Sequence, residues 1–544
     1  MKNFISIFLV FFLAASPLSA AQSDTSELAN LDYSSTRSLA EKGDRKAQFN
    51  LAVMYEDGKI VARNDAEAVR LYRLVADQGF AGAQHNLALM YADGRGVTKS
   101  DAEAVRLYRL AAEQGYANAQ YNLGLRYING EGLARNDAEA VRFFRLAAVQ
   151  GNAAAQNNLG SMYANGRGVA RDDAEAARLY RLAAEQGYSI AQFNLAVMYE
   201  DGTGVTKNDA EAVRLYRLAA EQGIVGAQYN LGLLVESGTG VAKDDVEAAR
   251  LYRLASDQGF AGAQHSLALM YAGGRGVAQD GAEAARLYRL ASDQGLANAQ
   301  YNLGFMYSNG TGVEKDGAEA ARLYRLASDQ GYAKAQNNLG NMYANGSGVA
   351  KDDVEAVRLY RLASDQGYAI AQYNLGFMYV NGTGVTKNVT EAVRLFQLAA
   401  AQGYANARYN LGVMYANGTG VATNETEAVR LYRLASDQGY APAQNNLGAM
   451  YKDGRGVRKN DAESVRLFRL AADQGYANAQ YNIGLMYADG TGVKQNYVQA
   501  YAWLNIAFAS GNAAAISVRD KLRKKMTRQD IEAAQILSSN WMKK

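Results

Sequence analysis

The chain has two histidines and no cysteine, which limits the catalytic and metal chemistry open to its side chains. His85 and His265 lie in nearly identical stretches that begin at Gly79 and Gly259, so duplication of one stretch explains both. Neither has a second histidine nearby in the sequence with which to share a metal ion. The lack of cysteine excludes disulfides, thiolate metal sites and cysteine nucleophiles. We therefore expect no metal ion, no cofactor and no catalytic base.

Short motifs with a known catalytic mechanism are also missing from the sequence. It contains no glycine-rich phosphate loop, no G-x-S-x-G elbow and no H-E-x-x-H pair. A recurring D/N-G-x-G-V segment, first seen at Asp57 and Gly58, has a faint similarity to a calcium loop. It lacks the carboxylates that an EF-hand needs at alternate positions. The motifs therefore favour binding over catalysis.

A row of aromatic residues is the pattern that most favours binding. The chain repeats every 36 residues, and "column 49" denotes position 49 and each 36th position after it; other columns are named in the same way. Columns 49, 53 and 56 vary between otherwise similar copies, so packing leaves them unconstrained. On a helical wheel they lie opposite the apolar face. The candidate binding residues are Phe49, His85, Tyr121, Phe193, Tyr229, His265, Tyr301, Tyr373, Tyr409 and Tyr481 in column 49, and Phe305 and Phe377 in column 53.

These aromatic rings allow two interpretations. Exposed aromatic side chains are where binding energy concentrates, so an open row would be a partner-binding face. Alternatively, the rings fold sideways and fill the groove between adjacent copies. If the first interpretation holds, Tyr301, Tyr373 and Tyr409 stand open, while Tyr307 and Tyr379 of column 55 are buried.

Asparagine occupies column 50 in every copy except one, where Ser266 replaces it. A polar residue at a recurring position on a packed helix needs a hydrogen-bond partner. We interpret column 50 as a buried polar ladder that bonds to the neighbouring backbone.

The elements that position these columns follow from the repeat itself. The block that begins at Ala47 returns at Ala83, Ala119 and onward to Ala479, thirteen times and without insertion or deletion. A fixed period of this length is typical of a solenoid, in which each unit buries its apolar face by stacking on its neighbours. Such arrays present one long surface, which again favours binding.

Each copy is predicted to be a helical hairpin. In the first copy, apolar residues recur at helical spacing until Gly58, a position that holds glycine in every copy and can end a helix in the left-handed conformation. A second glycine follows in every copy but the first, which has Ile60. Asn64 and Glu67 then form a capping box at the start of a second helix. That helix runs to Gly79 with one broad apolar stripe.

Charge patterning argues against nucleic acid as a partner. The chain has 57 lysines and arginines against 54 aspartates and glutamates, a formal net charge of +3. Arg70 and Arg73 recur on the second helix, but Glu67 and Asp77 interleave with them at ion-pair spacing. A solvated outer face is therefore favoured over a polyanion site.

The first 21 residues read as a secretory signal peptide. Lys2 precedes an apolar run from Phe4 to Ala15, and small residues follow up to Ala21. The alternative is an uncleaved anchor, but the run is shorter than the roughly 20 apolar residues of a spanning helix. We expect cleavage near Ala20 or Ala21, export to the periplasm or beyond, and no membrane span in the mature chain. An exported chain of this size without cysteine is typical of a bacterium.

These residues together resemble the Sel-1-like repeat family, which is related to the tetratricopeptide repeats. The match is to A-x-x-x-L-G-x-x-Y-x-x-G-x-G-V, followed by a capped helix that ends L-A-x-x-Q-G-Y-A, and it covers Ala47 to about Ala514. The end of the last copy, from Ala500 to Leu504, also fits the family. The resemblance implies an all-α, right-handed α/α superhelix whose first helices line a concave face.

The predicted organisation has four parts: a signal peptide (1–21), an N-terminal capping half-repeat (22–46), thirteen repeats (47–514) and C-terminal capping helices (515–544). The resemblance implies an adaptor, so the first functional hypothesis is a non-enzymatic scaffold that binds a protein or extended peptide along the concave face. The second is a binder of cell-wall glycan that stacks sugar rings on the aromatic row. A cysteine-rich branch of the family has been linked to β-lactam hydrolysis, but this chain lacks its paired cysteines.

Overall fold

The computed structural model describes residues 32–542, and every regular element in that range is a helix. The predicted signal peptide and the first part of the predicted half-repeat lie outside the described residues. The helices fall into two compact units, and the boundary between them in the sequence follows Gln279.

In each unit an A helix, the first of a repeat, alternates with a B helix, the second. The first unit begins with α1 (Tyr33–Glu41). Its A helices are α2 (Arg45–Asp57), α4 (Ala81–Asp93), α6 (Ala117–Asn129), α8 (Ala153–Asn165), α10 (Ser189–Asp201), α12 (Val225–Ser237) and α14 (Ala261–Gly273). Its B helices are α3 (Asp65–Ala76), α5 (Asp101–Glu113), α7 (Asp137–Val149), α9 (Asp173–Glu185), α11 (Asp209–Glu221) and α13 (Asp245–Asp257).

The second unit begins with a B helix and ends with two helices after the last repeat. Its B helices are α15 (Gly281–Asp293), α17 (Gly317–Asp329), α19 (Asp353–Asp365), α21 (Val389–Ala401), α23 (Glu425–Ser436), α25 (Asp461–Asp473) and α27 (Tyr497–Ala509). Its A helices are α16 (Ala297–Asn309), α18 (Ala333–Asn345), α20 (Ala369–Asn381), α22 (Ala405–Asn417), α24 (Ala441–Asp453) and α26 (Ala477–Asp489). The final two helices are α28 (Ala515–Arg523) and α29 (Arg528–Met542).

Within each unit, the helices up to α27 each pack against the helices that precede and follow them in the chain. This consecutive packing confirms the predicted all-α solenoid of helix pairs with a 36-residue period. The right-handed twist of the array stays a prediction.

The boundaries of the helices follow the predicted signals. α2 ends at Gly58, whose φ of 65° lies in the left-handed region. The side chain of Asn64 then accepts a hydrogen bond of 3.1 Å from the backbone N–H of Glu67 and starts α3. The second half of the predicted capping box is absent: the Asn64 N–H donates to the Tyr55 carbonyl instead, at 2.9 Å. The Glu67 carboxylate accepts from Arg70.

The second glycine of each turn has a packing role that the sequence did not reveal. A Cβ on Gly96 would lie 2.2 Å from the backbone oxygen of Asp65, the first residue of the preceding B helix. At Gly96 the turn therefore approaches the previous repeat backbone to backbone. Ile60, which stands at this position in the first copy, is half exposed.

The core lies between the A and B helices, as the apolar stripe predicts. Ala68, Leu71, Tyr72 and Val75 on α3 are almost fully buried. A polar ladder links adjacent repeats beside this core. Gln114 donates to the Gln84 side chain at 2.7 Å, and Gln84 donates to the Ala76 carbonyl at 3.3 Å. Because both glutamines recur, the same rung joins many neighbouring copies.

At the C-terminal end, α28 and α29 both pack on α27. Trp503 and Trp541 meet edge to face, with ring centroids 5.7 Å apart. Among the helices of residues 32–542, none has both the length and the apolar character needed to cross a membrane.

Candidate binding surface

The side chains of columns 49, 50, 53 and 56 form one side of the A helices, called the A face below. The prediction that the rings of column 49 stand open on this face is wrong. Phe49, His85 and Tyr121 are buried. The other predicted members are half-buried: Phe193, Tyr229, His265, Tyr301, Tyr373, Tyr409 and Tyr481.

The rings are covered because they pack sideways between helices. Tyr301 contacts Tyr324 on the B helix of its own repeat, with centroids 5.7 Å apart, and Tyr332 just before the next A helix, at 5.2 Å. Phe49 makes the equivalent contacts with Tyr72 and Phe80, at 5.8 and 5.1 Å. The groove-filling interpretation thus describes the packing of these rings. Binding of a partner by the exposed edges of these rings stays a prediction.

The predicted burial of column 55 is also wrong. Tyr307 and Tyr379 are half-buried, because each ring lies at the joint between repeats and its hydroxyl reaches the preceding B helix. There the Tyr379 hydroxyl accepts a hydrogen bond of 2.8 Å from Arg361, and that of Tyr307 accepts one from Arg289. Column 55 therefore packs against the core and also joins adjacent repeats.

Column 53 contains the aromatic rings that the structure leaves open. Phe305 is 51% exposed and Phe377 is 50% exposed, both on A helices of the second unit. Asn341 occupies the same column in the repeat between them and accepts a hydrogen bond of 2.7 Å from Tyr360. These two phenylalanines are the predicted site residues that stand out from the A face.

His85 behaves as a core residue. It lies between the rings of Tyr108 and Tyr116, and hydrogen bonds join it to Asn86 at 3.1 Å and Asn122 at 2.9 Å. Burial lowers the pKa of His85 to about 4, so the imidazole is neutral near pH 7. Burial also lowers the pKa of His265 to about 4. Residues 32–542 contain no group of three or more His, Asp or Glu side chains suited to a metal ion.

The asparagines of column 50 bond mainly to side chains, not to neighbouring backbone as predicted. Most reach back to the column 49 residue of the preceding repeat or to a tyrosine on a B helix. Asn194 donates to Asn157 at 3.0 Å, and Asn374 donates to Asn337 at 2.9 Å. Apart from the buried Asn86, the column is half-buried. An amide has two N–H donors and an oxygen acceptor, so one such bond leaves further capacity for a ligand.

The A face differs in charge between the two units. In the first unit, column 56 contains Glu56, Glu200 and Glu236. In the second unit, α16, α18, α20 and α22 contain no acidic residue at all, and their only basic residues are Lys334 and Arg408. Arg408 donates to the carbonyls of Ala400 and Leu434, at 3.1 and 3.3 Å. The A helices α16 to α22 therefore present an almost uncharged surface rich in tyrosine and asparagine.

A further aromatic column, not predicted from the sequence, lies directly before the A helices. In the second unit this column 80 contains Tyr332, Tyr368, Tyr404 and Tyr440, all half-buried. Burial, and then the charges of nearby tyrosines, raise the pKa of each of these hydroxyls. The recurring Gly-Tyr-Ala was visible in the sequence but was treated only as the end of a helix.

Comparison with known proteins supports the repeat assignment throughout. A family model described as Sel1 repeat matches residues 45–80, 81–116, 117–152, 153–188, 189–224, 225–260, 261–296, 297–332, 333–368, 369–404, 405–440, 441–476 and 477–512. A search of curated proteins gave no match.

Two solved structures of repeat proteins are similar to the chain. One is c5321, described as a protective antigen present in uropathogenic Escherichia coli strains that displays an SLR fold. It is 34% identical, with 88% of this chain and 94% of that chain covered and a TM-score of 0.58. The other is a Sel1 repeat protein from Oxalobacter formigenes, 32% identical over 57% of this chain and 89% of that one, with a TM-score of 0.46. With thirteen matched repeats and the similarity to c5321, the chain belongs to the Sel1 repeat family.

Proposed function

We propose that this chain is a non-enzymatic scaffold that binds a protein or an extended peptide across the A face. The observation that carries the proposal is the exposure of Phe305 and Phe377 on a face whose other aromatic rings are packed. A half-exposed phenylalanine on a rigid helix loses little entropy when it is buried by a partner. A repeat array of this family is a scaffold suited to protein–protein interaction.

The surroundings of the two phenylalanines support a neutral, extended partner segment. The A helices from α16 to α22 contain no carboxylate, so they offer no ion pair to a basic ligand. The half-buried asparagines of column 50 can bond to peptide N–H and C=O groups with their remaining capacity. Aromatic anchors and amide contacts then act together on one segment.

Replacement of both phenylalanines by alanine tests this proposal. Phe305→Ala with Phe377→Ala should weaken binding of a partner, identified from envelope extract by mass spectrometry, by more than about 2 kcal/mol per lost anchor. The melting temperature should barely move, because surface substitutions change stability by about 0.5 kcal/mol or less. Calorimetric titration of the purified partner measures the first effect.

The matched control is Leu326→Ala with Leu398→Ala, on the B helices of the same two repeats. These leucines are 38% and 40% exposed, but they lie outside the A face. The control should bind the partner as tightly as the unmodified chain. Equal losses in both double variants would contradict the proposed surface.

Binding of cell-wall glycan is the second candidate, and the tyrosines of columns 49 and 80 are the observation that favours it. In pairs such as Tyr373 with Tyr404, the ring centroids are 5.3 Å apart. Such pairs combine aromatic surface with hydroxyl groups on an uncharged face. Tyrosine offers both apolar contact and a hydrogen bond, which sugar rings can use. Co-sedimentation with purified peptidoglycan, lost on Tyr373→Phe with Tyr404→Phe, would support this function in place of the first.

We also propose that the chain acts in the bacterial envelope or outside the cell. Lys2, the apolar run and the small residues up to Ala21 support export. The similar c5321 is described as a protective antigen, which is in keeping with an exported location. The expected N-terminus on protein purified from its native source is therefore Ala21 or Gln22, as measured by intact mass. A retained Met1 would refute cleavage.

A further inference from the structure

Three copies in the first unit share a glutamate at the end of the A helix, in column 56. Glu56, Glu200 and Glu236 stand where most copies have a small or apolar residue. Each uses its Oε2 in the same way: it accepts a hydrogen bond of 2.7 Å from a tyrosine hydroxyl on the B helix of its own repeat. The donors are Tyr72, Tyr216 and Tyr252 respectively.

In two of these copies, the other carboxylate oxygen is occupied by an arginine from the turn of the next repeat. Arg95 lies 2.9 Å from Oε1 of Glu56, and Arg275 lies 2.6 Å from Oε1 of Glu236. In both cases the arginine follows the glutamate at the same spacing in the sequence. A column 56 carboxylate thus binds a guanidinium group in the same way at two places in the chain.

The third copy has the carboxylate without the arginine. Thr239 stands at the position of Arg95 and Arg275, and its hydroxyl bonds to Ser237 at 2.7 Å. Among the described residues, no arginine, lysine or histidine lies within ion-pair distance of Glu200. Burial raises the pKa of Glu200, and Lys207, which pairs with Asp209 at 3.2 Å, offsets that rise only in part.

A ligand from solution can reach the unused oxygen. The side chains of Arg95 and Arg275 retain 29% and 42% of their exposure at the equivalent positions, so a guanidinium there remains open to solvent. Val197 and Leu233 are half-buried in column 53 of the same and the next repeat. They offer apolar surface to the methylene stem of a bound side chain.

We propose that Oε1 of Glu200 is a recognition site for a guanidinium group, supplied by an arginine side chain of a partner. The inference names one contact within the proposed function. It rests on that function in a single respect, because the arginine belongs to a polypeptide partner. It assigns a cationic contact to the A face of the first unit, whereas the second unit offers Phe305 and Phe377.

The chain also provides the variants that test this site. Where column 56 has no glutamate, the turn arginine pairs instead with the first residue of the preceding B helix. Arg167 lies 2.8 Å from Asp137 in this way, and Arg455 lies 2.7 Å from Glu425. Thr239→Arg should therefore fill the Glu200 site from within the chain. Thr383→Arg is the matched control, because column 56 has Ala344 in the preceding copy and Val380 in its own, so the arginine should pair with Asp353.

The experiment uses the full mature chain and the peptide acetyl-Gly-Arg-Gly-amide as the probe. Methyl NMR signals of Val197 and Leu233 should shift with the arginine peptide and not with its uncharged citrulline analogue. The shifts should disappear in Glu200→Gln, which keeps a hydrogen-bond acceptor for Tyr216, and in Thr239→Arg. They should persist in Thr383→Arg, and Thr239→Arg should also raise the melting temperature.

Several results would overturn the inference: no response to the arginine peptide, an equal response to citrulline, or a response that survives Glu200→Gln. The outcome is separable from that of the proposed function. If the scaffold proposal alone fails, the Phe305 and Phe377 variants bind their partner normally, yet the arginine peptide still shifts Val197 and Leu233. If this inference alone fails, the peptide gives no such shift, while Phe305→Ala with Phe377→Ala still weakens binding of the partner.

Discussion

At the scale of single residues, the copies act as controls for one another. Column 49 holds phenylalanine, histidine, tyrosine or asparagine, and each fills the same groove with different hydrogen bonds. Asn122 donates to His85, whereas Asn194 donates to Asn157 in the equivalent place. A substitution that copies a neighbouring repeat therefore keeps its partner and isolates one property of the side chain.

His85→Asn isolates the proton linkage of the buried histidine. The folded chain holds His85 with a pKa of about 4, below the ordinary value of 6.5, so the unfolded chain binds a proton first as the pH falls. The free energy of unfolding is therefore not reduced by this linkage above pH 6.5, and it falls as the pH drops from about 6.5 to 4. At pH 5 the loss is about 2 kcal/mol. In His85→Asn, the urea midpoint should depend less on pH across this window. The same pH dependence in both proteins would show that His85 is not the group responsible.

At the scale of elements, the turns decide how one repeat meets the next. Gly204 and Gly187 both have positive φ, at 68° and 83°. Only Gly204 is also crowded: a Cβ there would lie 2.1 Å from the backbone oxygen of Asp173, while one on Gly187 would have nothing within 4 Å. Backbone atoms cannot move aside as a flexible side chain can.

Alanine at these two glycines separates conformational strain from inter-repeat contact. Gly187→Ala should lower the free energy of unfolding by about 1–2 kcal/mol, because an L residue is strained in the left-handed backbone conformation. Gly204→Ala should cost at least about twice as much, because it also forces α9 away from the following turn. Urea denaturation followed by circular dichroism measures both. A Gly204→Ala variant no less stable than Gly187→Ala would contradict the close approach.

The helices were predictable because their signals are local and recur in every copy. Glycine after the A helix and asparagine or aspartate before the B helix act within a few residues, so the sequence contains their whole cause. The exposure of Tyr301 was not predictable in this way. It depends on Tyr332, which lies just before the next A helix and covers the ring only when the chain has folded into that helix. The helical wheel described one helix and omitted that neighbour.

The same limit explains which site residues the sequence could and could not indicate. Phe305 and Phe377 were included as candidates because column 53 varies, and they are exposed. The state of Glu200 depends on Thr239 in the next repeat, so it became visible only when three stacked copies could be compared. Site residues whose environment crosses a repeat boundary need the structure.

At the scale of the whole molecule, each joint described between repeats uses partners at a constant separation in the sequence. Gln84 bonds to the Ala76 carbonyl, Asn122 to His85 and Arg95 to Glu56, and each spacing recurs elsewhere in the chain. Energies in such arrays are sums over copies and nearest-neighbour joints. Each unit is therefore stabilised by the same few contacts made many times.

The constant spacing of these joints has a consequence for how such a gene can change. Unequal recombination that gains or loses whole copies keeps the generic joints, since any copy then finds glutamine, asparagine and glycine where its neighbour needs them. The pair of glutamate and turn arginine is different, because few copies have either residue. A crossover that places a glutamate copy before a threonine copy, as with Glu200 and Thr239, leaves a carboxylate without its cation while the fold stays intact. Shuffling of copies would in this way generate new recognition sites while the generic joints still hold the array together.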